Sequence, residues 1–128
     1  MRIKQTTVLA AAVVLLTVVG PMFAHHGSAA YDTTQETTVK GTVTDFQFVN
    51  PHTLIFFDVK NDKGVVEHWQ AEAMSPNQLT RDGWNKNTLK PGDQITITGY
   101  RAKNGSNILR FRKMALSNGQ EIKGGLDF

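Results

Sequence analysis

The fold is decided by residues 38–73, which read TVKGTVTDFQFVNPHTLIFFDVKNDKGVVEHWQAEA. Apolar and polar residues alternate along Val39–Val43, and the alternation resumes at Phe46 and Phe48 after a one-residue slip at Asp45. A period of two is typical of a half-buried strand, and a slip within it indicates a β-bulge. The stretch therefore begins with a strand that we expect to carry a bulge near its middle.

Turn residues divide the rest of this stretch into two more strands. Asn50-Pro51 interrupts the pattern, because proline cannot donate a hydrogen bond to a ladder. The segment 61–64 (NDKG) has the composition of a hairpin turn. Between and after these turns, Thr53–Val59 and Val65–Ala73 are rich in β-branched, aromatic and alternating residues, and both are predicted to be strands.

The remainder of the chain supplies one helix and two further long strands. Ser75-Pro76 has the form of an N-cap followed by proline at the first helical position, and it predicts a short helix that reaches about Arg81. Gln94–Ala102 and Asn107–Leu116 are predicted to be the fourth and fifth strands. The fold class is mainly β: this order predicts a small five-stranded OB-like barrel with one short helix between strands 3 and 4. A small β-sandwich is the alternative fold.

The N-terminus has the layout of a secretory signal peptide. Arg2 and Lys4 precede an apolar run at Val8–Gly20, and Ala24 offers a small residue for cleavage. The run is shorter than the roughly 20 residues that usually span a bilayer. We therefore predict a signal peptide at 1–24 and a periplasmic protein with no stable membrane insertion after cleavage; an uncleaved N-terminal anchor is the alternative.

The cleavage point decides which residue begins the mature chain. Cleavage after Ala24 makes His25 the first residue, whereas Ala30 satisfies the small-x-small rule better and would make Tyr31 the first. Ala24 lies closer to the apolar run, so we favour it. The domains are then a signal peptide (1–24), a polar, flexible or loosely docked N-terminal arm (25–37) and the barrel (38–128).

Composition excludes several classes of function. The 128 residues contain no cysteine, which excludes disulfides, thiolate metal sites and a cysteine nucleophile. Without residues 1–24 the chain carries 12 basic and 11 acidic residues, a net charge of +1. Such a chain lacks the positive charge that dominates nucleic-acid binding, so no nucleic-acid partner is expected. No glycine-rich phosphate loop or hydrolase motif occurs, and the acidic residues fit turns and solvated strand positions. We therefore expect a non-enzymatic protein.

Histidines are the main candidates for a functional site. His25 at a processed terminus supplies an imidazole and a free α-amine, His26 supplies a second imidazole, and His52 follows a rigid turn. Nitrogen ligands in a compact set suit Cu(II), so these three residues predict a copper site. The alternatives are an incidental His-His pair and a His52 that caps its turn. His68 alternates with solvent-facing residues and is expected at the surface.

Several functions remain open at this point. The first is a metal-binding carrier or sequestering domain that delivers copper to an envelope protein partner, with Met74 and Met114 as possible soft ligands for Cu(I). The second is a metal-independent envelope interaction or ligand-binding module with an exposed aromatic and basic face. The third is a copper-dependent oxidase, for which the 104 residues that remain after cleavage leave little surface for a substrate cleft.

A series of short motifs is shared with one family. They are His25-His26, Tyr31-Asp32, Lys40-Gly41-Thr42-Val43, Asn50-Pro51-His52, Ser75-Pro76-Asn77, Arg81-Asp82-Gly83-Trp84 and Leu89-Lys90-Pro91-Gly92-Asp93. In this order they resemble a family of small exported bacterial proteins of unknown function, over essentially the whole mature chain. The resemblance implies export, a small β-rich domain, and His-His and Asn-Pro-His as family motifs. Members usually have Val or Asn where His68 stands here, which weakens His68 as a ligand.

Overall fold

The structure is a computed structural model, and it describes residues 27–124. The predicted signal peptide and the residues His25 and His26 lie outside the described residues. The strands are β1 (Thr37–Gln47), β2 (Leu54–Lys60), β3 (Val66–Glu72), β4 (Gln94–Arg101), β5 (Ile108–Leu116) and β6 (Glu121–Lys123). One helix, α1 (Pro76–Leu79), lies between β3 and β4 and continues as a 3-10 turn over Thr80–Asp82. The order of β1–β5 and α1 is the one that the sequence predicts, and β6 is a short strand in addition to it.

The strands form a closed barrel. Hydrogen-bonded neighbours follow the order β3-β2-β1-β4-β5-β6, and β3 also pairs with β5. Pairs along this order are antiparallel, whereas the β3–β5 pair is parallel and joins only Gln70–Glu72 to Ile108–Arg110. We call this three-residue joint the seam. It closes β1–β5 into the predicted five-stranded barrel, and β6 extends the sheet beside β5.

Two bulges bend the sheet as it closes. The register of β1 against β2 shifts between Val43 and Asp45, which confirms the bulge that the sequence predicts. A second shift, between Thr98 and Gly99 in β4, was not predicted. At Gly99 the strands approach so closely that a β-carbon would lie 2.3 Å from the carbonyl oxygen of Arg110. At Gly41 it would lie 2.7 Å from the carbonyl oxygen of Asp58. Both glycines are therefore required by packing.

A single hydrophobic core fills the barrel. Its buried members are Val43, Ile55, Phe57, Trp69, Ala71, Ala73, Leu79, Trp84, Leu89, Ile95, Ile97, Leu109, Phe111 and Met114. Leu79 of α1 and Trp84, which follows the helical segment, are both buried in this core. The Trp84 ring meets the edge of Phe111 at 5.6 Å between centroids, and its indole N–H donates to the carbonyl of Lys123 at 3.0 Å. Burial of such side chains supplies the main driving force for folding.

Residues 30–32, which precede β1, lie against the barrel. Tyr31 forms an isolated β-bridge with Ala102, and the backbone N–H of Lys103 donates to the carbonyl of Ala30 at 2.9 Å. Only 4% of the Tyr31 surface is exposed. Between residues 27 and 124, no helix has the length and apolar character needed to cross a membrane.

Candidate functional site

His52 contacts a carboxylate across the β2–β3 pair. The residue follows the cis Asn50-Pro51 bond and lies two positions before Leu54, the residue opposite Glu72 in the β2–β3 register. This placement brings the Nδ1 atom of His52 to the Oε1 atom of Glu72, with which it forms an ion pair when the imidazole is protonated. The two side chains are partly buried, with 35% and 23% of their surfaces exposed. The carboxylate therefore orients the imidazole ring at the outer surface of the barrel.

The same carboxylate also contacts the segment that precedes β1. The Tyr31 hydroxyl donates to the Oε2 atom of Glu72 at 3.4 Å. The pKa of Tyr31 is raised to about 12, first by burial and then by the charge of Glu72 and the hydrogen bond to it, against a lowering effect of Arg110. At neutral pH the phenol is therefore protonated and acts as a donor.

Arg110 completes this cluster from the other side of the seam. It lies opposite Glu72 in the parallel β3–β5 register, and the centre of its guanidinium group is 5.8 Å from the centroid of the Tyr31 ring. A guanidinium over an aromatic face is attracted by the electrons of the ring. We call His52, Glu72, Tyr31 and Arg110 the seam cluster. It joins β3, β5, the turn before β2 and the segment before β1 at one place on the surface.

Residues 110–113 (RFRK) form a dense basic stretch, and its two arginines are not fully exposed to solvent. Arg112 lies 5.6 Å from the centroid of the Tyr100 ring, and its Nε atom is 3.6 Å from a carboxylate oxygen of Glu36. Only 31% of the Arg112 side-chain surface is exposed, whereas Lys113 is exposed. The two arginines of β5 are thus packed against tyrosines.

His68 forms a second pair with a carboxylate, at the other end of the same two strands. It lies directly opposite Asp58, and its Nδ1 atom is 2.6 Å from the Oδ1 atom of that residue. The His68 side chain is 86% exposed, as its alternation with solvent-facing residues predicts. His68 is separated from His52 along the strands and does not join the seam cluster.

The predicted copper ligands are only partly described. His52 lies in the seam cluster, while His25 and His26 fall outside the described residues. Within 27–124, no group of three or more His, Cys, Asp or Glu side chains is arranged to hold a metal ion. Met114 is buried in the core, so it cannot serve a surface site. Met74 is partly buried against the same core, and its carbonyl accepts from the backbone N–H of Thr53, the residue after His52.

Of the four residues in the seam cluster, only His52 is predicted from the sequence to have a functional role; Glu72, Tyr31 and Arg110 are not. Glu72 fits a solvated strand position by its alternation, Tyr31 stands in a polar stretch without a period, and Arg110 reads as part of a basic strand face. Their contacts depend on the seam, which pairs strands that are far apart in the chain. The only sequence feature that could have indicated this cluster is that Tyr31 and His52 both belong to motifs shared with the family.

Comparisons with known proteins add a family but no activity. No curated protein matches the chain. Among solved structures, the chain is similar to one described as the crystal structure of a tRNA fluorescent labeling enzyme, with 17% identity and a TM-score of 0.43. That match covers 64% of this chain and 18% of the other, so the chain spans less than a fifth of that enzyme. The model of a family of unknown function, DUF6152, matches residues 12–109. The chain therefore belongs to this family of unknown function.

Proposed function

We propose that the protein is exported to the periplasm, is cleaved after Ala24, and binds one copper ion without being an enzyme. The ligands are the α-amine and imidazole of His25, the imidazole of His26 and the imidazole of His52. Amine and imidazole nitrogens suit the tetragonal geometry of Cu(II). Bound in this way, the metal could be carried or sequestered and passed to an envelope protein.

One observation carries the proposal: Glu72 contacts both His52 and Tyr31. Tyr31 is five positions after His26, and an extended chain spans at most about 3.3–3.6 Å per residue, or roughly 17 Å in total. Because Glu72 brings Tyr31 and His52 together, this length of chain allows His26 to reach His52. A metal that binds all three would link the terminus to the barrel.

The docking of residues 27–31 also favours cleavage after Ala24 over cleavage after Ala30. A chain that began at Tyr31 would lose the hydrogen bond from the Lys103 N–H to the Ala30 carbonyl. A start at His25 keeps this bond.

The test is a native mass spectrum of the protein isolated from the periplasm, before and after one equivalent of Cu(II) is added in the presence of a mild competing chelator. We expect a mass that begins at His25 and one retained copper ion. His52→Ala should lose the retained copper. His68→Ala is the matched control, because His68 is also paired with a carboxylate but is not a proposed ligand, and this variant should retain the metal. A mass that begins at Tyr31, or a His25 start without retained copper, would overturn the proposal.

A second candidate function, a metal-independent interaction module, is favoured by the edge of β3. The seam covers only Gln70–Glu72 of this strand. Val66, its first residue, and Val65 just before it are 50% and 56% exposed. An extended segment of an envelope protein could add to this edge by strand pairing. Partners that remain bound in the presence of a chelator and after deletion of His25 and His26 would favour this function over copper binding.

A further inference from the structure

The seam cluster contains one side chain that contacts both a proposed ligand and the anchor of the terminal segment. Each oxygen of the Glu72 carboxylate has its own neighbour: Oε1 contacts His52, and Oε2 accepts from Tyr31. The other carboxylate of β3, Glu67, accepts from Asn61 and from the indole of Trp69 instead. Glu72 is not itself a proposed ligand, but its contacts allow it to orient His52, which is one.

The chemistry of this contact selects one form of the imidazole. A carboxylate can only accept hydrogen bonds, and a neutral imidazole carries a single N–H. The nitrogen that faces Glu72 is Nδ1, so the hydrogen lies on Nδ1 and the metal-binding lone pair lies on Nε2. Carboxylates that accept from the second nitrogen of a metal-binding histidine fix its tautomer and orientation in this way.

We propose that Glu72 is a positioning residue, which holds His52 as the Nδ1–H tautomer with Oε1 and ties the terminal segment to the same point through Tyr31 with Oε2. This inference rests on the proposed function for its consequence, because the tautomer matters when Nε2 binds copper. The contact between Glu72 and the His52 ring exists in the metal-free protein. The two parts can therefore be tested separately.

The chain offers a matched control. Asp58 and His68 form the same kind of carboxylate–Nδ1 contact on the same two strands, away from the seam cluster. Asp58→Ala removes a carboxylate from a histidine that the copper proposal does not use. Glu72→Leu removes the acceptor from His52 but keeps the bulk of the side chain beside Tyr31.

The first experiment observes the histidine rings of the exported protein after removal of metal. Long-range ¹H–¹⁵N spectra in mildly alkaline buffer, where imidazole is neutral, distinguish the two tautomers. We expect His52 as the Nδ1–H form in the wild type and in Asp58→Ala, and the Nε2–H form in Glu72→Leu. In Glu72→Gln we expect a mixture, because an amide offers Nδ1 both an acceptor and a donor. If Glu72→Leu does not fold, Glu72→Gln serves as the test of whether Glu72 fixes the His52 tautomer.

An unchanged His52 tautomer in Glu72→Leu, or in Glu72→Gln where only that variant folds, overturns the positioning role whatever the copper result is. The second experiment titrates the same proteins with Cu(II). We expect Glu72→Leu to bind about 10–100-fold more weakly and Asp58→Ala to bind like the wild type. A changed tautomer with unchanged copper affinity would overturn the link to the metal. A wild type that binds no copper would overturn the proposed function, while the spectra would still decide how Glu72 holds His52.

Discussion

The phenol of Tyr31 occupies surroundings that oppose its ionisation. Its pKa is raised to about 12 by burial, then by the negative charge of Glu72 and the hydrogen bond to it. In the unfolded chain a tyrosine ionises near pH 10. A group with a raised folded pKa stabilises the fold below its unfolded pKa, and this stabilisation is lost as the pH rises from about 10 towards 12.

We therefore predict that the free energy of unfolding of the wild type falls as the pH rises from about 10 towards 12. The free energy of unfolding of Tyr31→Phe should fall less over the same range. The phenylalanine variant should be less stable than the wild type at pH 8, because it lacks the hydrogen bond to Glu72, and the difference should narrow above pH 10. Ultraviolet absorbance of wild type minus variant gives the ionisation of Tyr31 itself. A midpoint near pH 10 would contradict the buried, Glu72-bonded phenol.

The position of Tyr31 could not be predicted from its sequence neighbourhood. Residues 27–36 are small and polar, and nothing in them repeats with the period of a strand or a helix. The segment is held by backbone bonds to residues 101–103 and by one buried ring. A single aromatic residue that packs against distant strands leaves no periodic signal, because its partners are far away in the chain.

At the scale of the elements, β4 and its neighbour β5 lie very close together at Gly99. A β-carbon there would lie 2.3 Å from the backbone carbonyl oxygen of Arg110, which cannot move without disturbing the β4–β5 ladder. We predict that Gly99→Ala costs about 1–3 kcal/mol of stability, as overpacked sites do. Gly27→Ala is the control, because a β-carbon at Gly27 meets no described atom within 4 Å. Urea unfolding of both variants measures the difference, and equal stability would contradict the close approach.

The strands themselves were largely predictable, since alternation and turn residues are local properties. The slip at Asp45 predicted the bulge in β1, and Ser75-Pro76 predicted the start of α1. Glu72 is an example of what local patterns cannot predict, namely contacts between residues that are far apart in the chain. Alternation places it on the outer face correctly, but it does not say that His52 and Tyr31 lie on the same face and within contact distance. A period of two specifies a face and leaves its neighbours undetermined.

For the whole molecule, the seam is the shortest joint of the closed barrel. It has three residue pairs and is parallel, whereas the antiparallel β2–β3 pair has seven. Parallel pairing is slightly less stable per residue, and proteins open locally where few bonds hold them. We predict that the Gln70 amide, which donates to the Asn107 carbonyl at 3.0 Å, exchanges with solvent faster than amides in the middle of β2.

Native-state hydrogen exchange followed by NMR measures this difference residue by residue. Phe57 provides the reference, because it is buried and lies in the middle of the β2–β3 pairing. If the Gln70 amide exchanges as slowly as the Phe57 amide, the barrel opens only by global unfolding. Faster exchange at Gln70 would place the seam cluster on the part of the barrel that opens first, beside the proposed metal site.

The close approaches at Gly41 and Gly99 have a consequence for how this sequence can change during evolution. At both positions the atom that would meet a new side chain is a main-chain carbonyl oxygen of a neighbouring strand, so no substitution elsewhere in the side chains can make room. Relatives that close their barrel in the same way are expected to retain glycine at both positions. A relative with a larger residue at either one should have a different strand register there, and such a pair of sequences would locate the boundary between two barrel geometries.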